Sequence, residues 1–423
     1  MHLSFRSRAC PSSAIARLAG ALIAAAGIAA PVGAQPLSLE EAMRLAEGYQ
    51  PLAESRLAVQ RAADEAAVAA GQLPDPQLKL GLINVPATGP DAFSLTSDFM
   101  TMRTIGVEQM VTRQAKRDVR SQLMRIQGEQ KTLEIDGQRL VIRRDAALAW
   151  LDAYYAERAS ALTRSLKSEA HLQADALLAA ARAGRASQAD ALGAKLELTL
   201  LDDREAELAN RVAMAQAELS RWIGNAAQRP LGDPSADATA APTLEQVLAD
   251  IPEHPRLHAA DEGVTLAARE AELARLSTRP DWKVELSYGI RGSAFSDMVT
   301  LQFGIDLPVF QKNRQLRDVA AKLALTDRAR AERDDSLRAM QAEARRVYAQ
   351  WTSVRERAQR YRTLLLPQSK ARIDAALASY RAGRGELTAV LAARRADLEL
   401  QLQLLALEAE AARATIQLSY FSA

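Results

Sequence analysis

The chain has little cysteine, few aromatic residues and no strong excess of charge of either sign. Its 423 residues include one cysteine, 4% aromatic residues and a net charge of +2. The cysteine, Cys10, lies in the N-terminal leader, so the exported chain has none, as fits an extracytoplasmic compartment. Basic and acidic residues are interspersed, which excludes the basic surface of a nucleic-acid-binding protein. The low aromatic content suits long alanine-rich helices packed side by side.

Signatures of catalysis and of metal binding are missing as well. The sequence has no glycine-rich phosphate loop, catalytic triad or paired-carboxylate site, so we expect neither an enzyme nor a cofactor. His254 and His258 are weak candidates for metal ligands, with Asp261 and Glu262 nearby. Pro255 lies between the histidines and no HExxH pattern is present, which favours surface histidines without a metal.

The N-terminus has the pattern of a secretory signal peptide. Arginines precede an apolar run at 18–30, and small residues at 32–34 offer a cleavage site before Gln35. The apolar run is too short to span a membrane as a helix. We therefore predict that residues 1–34 are a cleaved signal peptide. No later stretch is a candidate transmembrane helix.

A long internal duplication organises the rest of the chain. The phrase Arg-Ala-Gly-Arg occurs at 182–185 and 381–384, an offset of 381 − 182 = 199 residues. Other phrases recur in the same order: 39–42 as 244–247, 74–80 as 280–286, and 106–110 as 304–308. We predict a first repeat at 35–224, a linker at 225–243 and a second repeat at 244–423.

Each repeat contains a pair of amphipathic strands, predicted at about 77–109 and about 283–307. Apolar and polar residues alternate, and each strand is about ten residues long, enough to cross a bilayer at a tilt. A single such hairpin on a soluble core is the alternative, but two hairpins, the signal peptide and the long helices favour a membrane. If the apolar rows face lipid, the pore-lining candidates are Lys79, Glu108, Lys283, Glu285, Gln302 and Asp306. Arg103 falls on the apolar row and does not fit, unless it lies at a barrel rim.

Very long helices follow each strand pair. No proline occurs between Pro90 and Pro230, so we predict one helix from about 111 to the first Arg-Ala-Gly-Arg phrase. A helix of about 70 residues is roughly 100 Å long. We predict its return partner at 188–223, because the glycine between them allows the chain to reverse.

The second repeat is predicted to contain helices at 311–380 and 386–418. Pro367 should kink the first of these, since proline removes an intrahelical hydrogen bond. At the start of the first repeat, Ser38 and Glu41 have the spacing of a capping box.

Four membrane-length strands cannot close a barrel within one chain, because open strand edges are not tolerated in hydrocarbon. Several copies must therefore associate. Two copies give a barrel filled by side chains, and three copies give twelve strands and an open lumen. The helices would continue the barrel as a tube.

These features resemble the TolC-type outer membrane efflux proteins over 38–423. The resemblance rests on the duplicated Leu-Glu starts, the Leu-Pro-Asp-Pro step at 73–76, the exit from the last strand at 304–310 and the Gly-Arg helix tips. The phrase at 71–76 and the short length are most similar to the heavy-metal branch that includes CzcC and CusC.

The resemblance implies a mainly α fold with membrane β-hairpins, in which a homotrimer forms a 12-stranded β-barrel on a long α-helical barrel. It implies an outer membrane location with a periplasmic extension. The implied partners are a periplasmic adaptor, an inner membrane pump of the RND type and outer membrane lipid. The implied function is the exit duct of a tripartite efflux system for heavy-metal cations. A duct for drugs or secreted protein, and a periplasmic coiled-coil adaptor or scaffold, are the alternatives.

The resemblance also implies roles for the two helix tips. The implied docking residues for the adaptor are Arg182, Gly184, Arg185, Arg381, Gly383 and Arg384. Ordinary helix-turn chemistry explains the glycines equally well. Asp190 matches a family aspartate in the first repeat, whereas the second repeat has Ala389 at that position. Asp190 and Glu386 are therefore the periplasmic gate candidates.

Overall fold

The computed structural model describes residues 35–184, 187–234 and 241–422. The predicted signal peptide and Arg185 lie outside these ranges. In the first half, the elements in chain order are α1 (Leu39–Tyr49), α2 (Leu52–Gly71), β1 (Gln77–Ile83), β2 (Met102–Val111), α3 (Gln114–Arg182) and α4 (Gln188–Ile223).

The second half repeats this order of elements. Its elements are α5 (Leu244–Asp250), α6 (Pro255–Leu276), β3 (Trp282–Ile290), β4 (Met298–Ile305), α7 (Gln315–Arg360), α8 (Leu366–Arg381) and α9 (Leu387–Phe421). Thus α5 corresponds to α1, α6 to α2, the second strand pair to the first, α7 with α8 to α3, and α9 to α4.

The long proline-free helix is confirmed. α3 has 69 residues, which corresponds to roughly 100 Å of helix. Its counterpart is divided by a π-helical turn at Tyr361–Leu365 that ends just before Pro367. Proline has no N–H, and its ring clashes with the carbonyl of the residue four positions earlier. The chain therefore accommodates Pro367 with a wider turn, so the predicted perturbation takes the form of a π-turn within an otherwise continuous path.

The helices pack side by side into a wall. Next to the sheet, α2 packs on α3, α3 on α6, and α6 on α7. Beyond the middle of the molecule, α4 packs on α3, α3 on α9, and α9 on α7 and α8. The helices at the edges of the wall are therefore α2 and α4 on one side and α7 with α8 on the other.

The main apolar core lies where these two levels of the wall meet. Trp150 of α3 is fully buried there, and its indole N–H donates to the carbonyl of Leu37 over 3.1 Å. Leu37 also forms a parallel β-bridge with Leu231, so the segment before α1 is attached to the segment after α4. Arg229 reinforces this attachment with an ion pair to Glu41 at 2.6 Å.

The strands form one antiparallel sheet in the order β1-β2-β3-β4. Within the described residues, β1 and β4 each have a strand partner on one side only. β4 ends at Ile305, two residues earlier than predicted, because its last partner is Trp282 at the start of β3 and Pro308 follows soon after. In the described ranges, no helix combines the length and the apolarity needed to cross a bilayer.

Candidate functional site

The two faces of the sheet have opposite character, as the alternation predicts. One face carries the apolar side chains of β1 to β4, and most of them are exposed in the single chain. These apolar-face residues are Leu78, Leu80, Leu82, Ile105, Val107, Trp282, Val284, Leu286, Tyr288, Ile290, Val299, Leu301, Phe303 and Ile305. The other face carries charged, amide, hydroxyl and glycine positions, with methionines near its ends.

The charged candidates of the polar face form one cluster. Glu108 lies opposite Glu285, which in turn lies opposite Gln302, so these three residues form a row across β2, β3 and β4. The ammonium of Lys79 lies 2.5 Å from Glu108 and 2.6 Å from Glu285. Lys283 lies 3.8 Å from Glu108 on its other side. The lysines thus offset the repulsion between neighbouring carboxylates.

Two glycines on the polar face lie where a side chain would clash with a neighbouring strand. A Cβ atom at Gly106 would lie 2.7 Å from the Cβ of Ser287 on the next strand, whereas facing Cβ atoms are normally about 4.5–5.5 Å apart. A Cβ at Gly304 would similarly lie 2.8 Å from Cε of Lys283. The strands therefore need glycine at these two positions of the polar face. The sixth candidate, Asp306, lies just beyond β4, at the junction with the helices.

A buried ion pair fastens this junction. The ammonium of Lys116, in the first turn of α3, is almost fully buried and lies 2.9 Å from the carboxylate of Asp281. It also donates to the carbonyl of Arg279 over 2.7 Å, and the backbone N–H of Arg113 donates to Asp281 over 3.1 Å. The beginning of β3 is therefore attached directly to the beginning of α3.

Both helix tips turn through a glycine with left-handed backbone geometry. Gly184 has φ +69° and Gly383 has φ +68°. At the second tip, the backbone N–H of Gly383 donates to Tyr380, and that of Arg384 donates to Ser379, each over 3.0 Å. This pattern is a Schellman motif, which fully accounts for the glycine.

The basic side chains of the tips are exposed. Arg182, Arg381 and Arg384 are exposed, and in the described ranges none of them takes part in an ion pair. Arg182 and Arg381 lie in the last turns of α3 and α8, where the helix dipole favours a positive charge. Helix-end electrostatics accounts for these two arginines, but not for Arg384, which lies beyond the helix.

The two gate candidates have different local environments. The carboxylate of Asp190 accepts hydrogen bonds from the backbone N–H and the hydroxyl of Ser187, and the hydroxyl of Ser187 accepts from the N–H of Asp190, which completes a capping box for α4. Glu386 precedes α9 without a side-chain cap, and its carboxylate accepts only from the hydroxyl of Thr388, over 3.2 Å, among the described residues. The structure thus gives Asp190 a capping role within its own helix and leaves Glu386 exposed.

The sequence did not reveal how the two hairpins are joined near their tips. Arg394 of α9 forms an ion pair with Glu169 of α3, and Arg395 forms one with Glu197 of α4 at 3.0 Å. Lys167 of α3 bridges to α4 through Asp202 and Glu205, each at 2.6 Å, and these hydrogen bonds raise the pKa of Lys167. The adjacent Arg394 and Arg395 could have indicated such ion pairs. The sequence could not identify their partners, because these lie 225 and 198 residues away in the chain.

The histidine interpretation requires a correction. His254 is fully buried, not a surface residue, and its ring packs against that of Tyr420. It also caps α6, because its Nδ1 accepts a hydrogen bond from the N–H of Arg256 over 3.2 Å. Burial lowers its pKa below the usual range. His258 is half-buried, and its Nε2 lies 3.4 Å from Glu253. Across the described residues, no group of three or more potential ligands is arranged to hold a metal ion.

Comparison with known proteins gives a family match for the second half of the chain and a fold match for nearly all of it. Residues 251–421 match the family described as outer membrane efflux protein. Among proteins with curated functions, no sequence match was found. The whole chain is similar in structure to CusC, with 14% identity, coverage of 92% of both chains and a TM-score of 0.75.

Two further solved structures agree with this fold. A membrane protein from Pseudomonas aeruginosa is 16% identical over 91% of this chain and 92% of its own, with a TM-score of 0.77. The outer membrane protein VceC from Vibrio cholerae is 16% identical over 91% of this chain and 96% of its own, with a TM-score of 0.74. The matched family consists of channels, which agrees with the prediction that the chain is not an enzyme. The second half of the chain thus matches the outer membrane efflux protein family, and the fold of nearly the whole chain is that of CusC and VceC.

Proposed function

We propose that the protein is the outer membrane exit duct of a tripartite efflux system and works as a homotrimer. The observation that carries this proposal is the distribution of exposed apolar side chains over the helical wall. The fully described central helices α6 and α9 have no large exposed apolar side chain. The edge elements have many, on both sides of the chain.

One edge consists of β1, α2 and α4, and the other of β4, α7, the π-turn and α8. The exposed apolar residues of the edge helices and the π-turn are Leu57, Val68, Leu192, Leu196, Leu200, Met214, Leu316, Leu323, Leu325, Leu364, Leu365 and Tyr380. Two different edges that both need a partner fit head-to-tail association, which closes into a ring. Three copies of the sheet give 3 × 4 = 12 strands, with no open edge left in the membrane.

The polar face then lines the lumen, and the apolar face contacts lipid. We propose Lys79, Glu108, Lys283, Glu285 and Gln302 as lumen residues of the barrel and Asp306 as a residue of its inner mouth. The two lysines balance the two glutamates in this cluster. The helical wall continues the lumen into the periplasm.

We propose that the helix tips face the periplasmic adaptor. Arg182, Arg185, Arg381 and Arg384 supply the positive charges of this docking surface, on turns formed by Gly184 and Gly383. In the same proposal, Asp190 and Glu386 are the acidic groups of the periplasmic gate. We also propose the repeat boundaries predicted from the sequence: a first repeat at 35–224, a linker at 225–243 and a second repeat at 244–423.

For the cargo we propose heavy-metal cations, driven by an inner membrane pump of the RND type. The support is the likeness of the 71–76 phrase to the heavy-metal branch. CusC forms a transmembrane channel, and OprN and CmeC are outer-membrane channels with TM-scores of 0.72 and 0.73 to this chain, so the fold supports a duct without specifying its cargo. Deletion of the gene should sensitise cells to heavy-metal cations, and sensitivity to drugs alone would contradict this cargo.

The experiment that tests the duct is isolation of the exported chain from outer membranes. We expect a detergent-stable trimer that dissociates on heating and conducts ions in planar bilayers. A soluble periplasmic species without conductance would overturn the proposal and leave the adaptor alternative standing.

A further inference from the structure

Arg103 is a charged residue on the apolar face of the sheet, where the alternation predicts an apolar side chain. It lies opposite Leu82 of β1 and Ile290 of β3, one rung from the end of the sheet that is remote from the helices. The side chain is exposed. This inference rests on the proposed function, which makes that end the outer rim of the barrel.

Arg103 lies close to the expected outer boundary of the lipid. At the helix end, the same face carries the exposed Trp282, whose partner on β2 is Val111, eight residues from Arg103. Eight residues of strand span roughly 27 Å, or about 20 Å along a barrel axis at the usual tilt. The apolar band of such barrels is about 25 Å tall. With Trp282 at the inner interface, Arg103 lies about 5 Å inside the outer edge of this band, and its long side chain spans that distance to the outer-leaflet headgroups.

The guanidinium of Arg103 has no strong partner within the described residues. It makes no ion pair there, and its hydrogen bond to the carbonyl of Arg291 is long, at 3.5 Å. The carboxylate of Asp297, at the same rim, accepts from the hydroxyl of Tyr288 over 2.6 Å and from the N–H of Arg291 over 3.0 Å. Arg291 donates its side-chain N–H groups to loop carbonyls.

A neighbouring copy of the chain does not fit as the partner of Arg103. β2 is flanked by β1 and β3 on its two sides, so it is an inner strand of the sheet. Neighbouring copies approach the edge strands β1 and β4. Arg103 is an exposed cation between a leucine and an isoleucine, and it faces away from the lumen. The remaining partner for its charge is therefore the membrane.

We propose that Arg103 binds a phosphate group on the headgroup of an outer-leaflet lipid. The planar guanidinium has five N–H donors and binds phosphate in a bidentate manner. The flanking Leu82 and Ile290 contact the first carbons of the acyl chains of the same lipid. Three copies of the chain place three such sites around the rim, and each fixes the depth of the barrel in the bilayer.

The test is native mass spectrometry of the intact detergent-solubilised trimer with diphosphoryl lipid A as the probe. We expect Arg103→Gln to weaken lipid binding roughly fivefold, the usual effect of one basic side chain at an anionic lipid surface. Arg125→Gln is the matched control, because Arg125 is an exposed arginine of α3 on the periplasmic side of the sheet. It should leave lipid binding unchanged. Lipid A without phosphate should bind the wild type as weakly as diphosphoryl lipid A binds Arg103→Gln.

A second variant covers the possibility that Arg103→Gln fails to assemble. Arg103→Lys keeps the charge and should retain at least half of the affinity. Equal binding by wild type and Arg103→Gln, an equal loss in Arg103→Lys, or displacement of the lipid by millimolar inorganic phosphate would each overturn the inference. Absence of a trimer in the wild type is seen before lipid is added, and it would contradict the proposed duct instead.

Discussion

Lys79 connects three strands of the sheet, because its ammonium contacts Glu108 on β2 and Glu285 on β3. Lys79→Gln removes this cation and leaves two directly opposed carboxylates. In a trimer the lumen loses three positive charges, so the channel should become more cation-selective, by roughly twofold or more in the permeability ratio. The reversal potential in planar bilayers under a KCl gradient measures this.

Lys79→Arg is the control for the charge at this position, and it should leave the reversal potential close to that of the wild type. An unchanged potential in Lys79→Gln would mean that the polar face does not line the conducting path. The charged row would then have only the structural role of joining β1, β2 and β3.

His254 makes stability depend on pH. Burial lowers its pKa, the backbone of Tyr420 opposes this, and the charges of Arg256 and His258 lower the pKa further. The unfolded chain then binds a proton more readily than the folded chain. Stability is therefore complete above the unfolded pKa of about 6.5 and is lost as the pH falls from there towards the folded pKa, by about 1.4 kcal/mol per unit of separation.

The measurement is the thermal unfolding midpoint at pH 7.5 and at pH 5.5. His254→Asn keeps a side-chain acceptor for the cap of α6 and does not titrate, so the drop in midpoint between the two pH values should shrink. His258→Asn, at the neighbouring half-buried histidine, should leave the drop nearly unchanged. An equal drop in wild type and His254→Asn would assign the pH dependence to other groups.

The helix tips depend on single glycines. Gly383→Ala places a side chain at φ +68°, which should cost about 1–2 kcal/mol in the free energy of unfolding. Gly48→Ala is the matched control, since Gly48 lies within α1 without positive φ and has open space around it. It should be neutral or stabilising by up to about 1 kcal/mol. Denaturant unfolding of both variants checks the contrast, and equal effects would contradict the assigned tip geometry.

Most elements could be predicted from the sequence, because their signals are local. The alternating residues of β3 and the proline-free run of α3 directly determine a strand and a helix. Other features depend on residues far away in the chain. Ser38 caps α1 as expected, but the carboxylate of Glu41 binds Arg229 rather than completing a capping box.

The candidate site likewise combines features that local sequence predicts with features that depend on residues far away in the chain. The period of the strands predicted that Lys79, Glu108 and Glu285 share a face, and they do. The register that brings Lys79 onto both carboxylates depends on how β1, β2 and β3 pair, which no local pattern specifies. The burial of His254 likewise depends on contact with Tyr420 at the other end of the second repeat.

At the scale of the whole molecule, exposed apolar side chains are concentrated at the two edges of the helical wall, and few lie in its middle. This arrangement predicts that apolar residues of the edge helices hold the trimer together. Leu196 on α4 is 60% exposed, and Leu323 on α7 is 38% exposed. Burying a fully exposed leucine is worth about 1.5–3 kcal/mol, so covering one of these part-exposed side chains is worth roughly 0.5–2 kcal/mol. A ring of three copies has three equal interfaces.

Leu196→Asp and Leu323→Asp should therefore each shift the trimer towards monomers, because a carboxylate buried at an interface costs more than the lost apolar contact. Leu172→Asp is the matched control: Leu172 is even more exposed, at 72%, but lies on the inner helix α3. The molar mass in detergent and the heat-modifiable gel band measure the trimer fraction. Loss of the trimer in Leu172→Asp, with the edge variants intact, would mean that copies meet through the face of the wall, and a closed duct of 12 strands could not then form from this sheet.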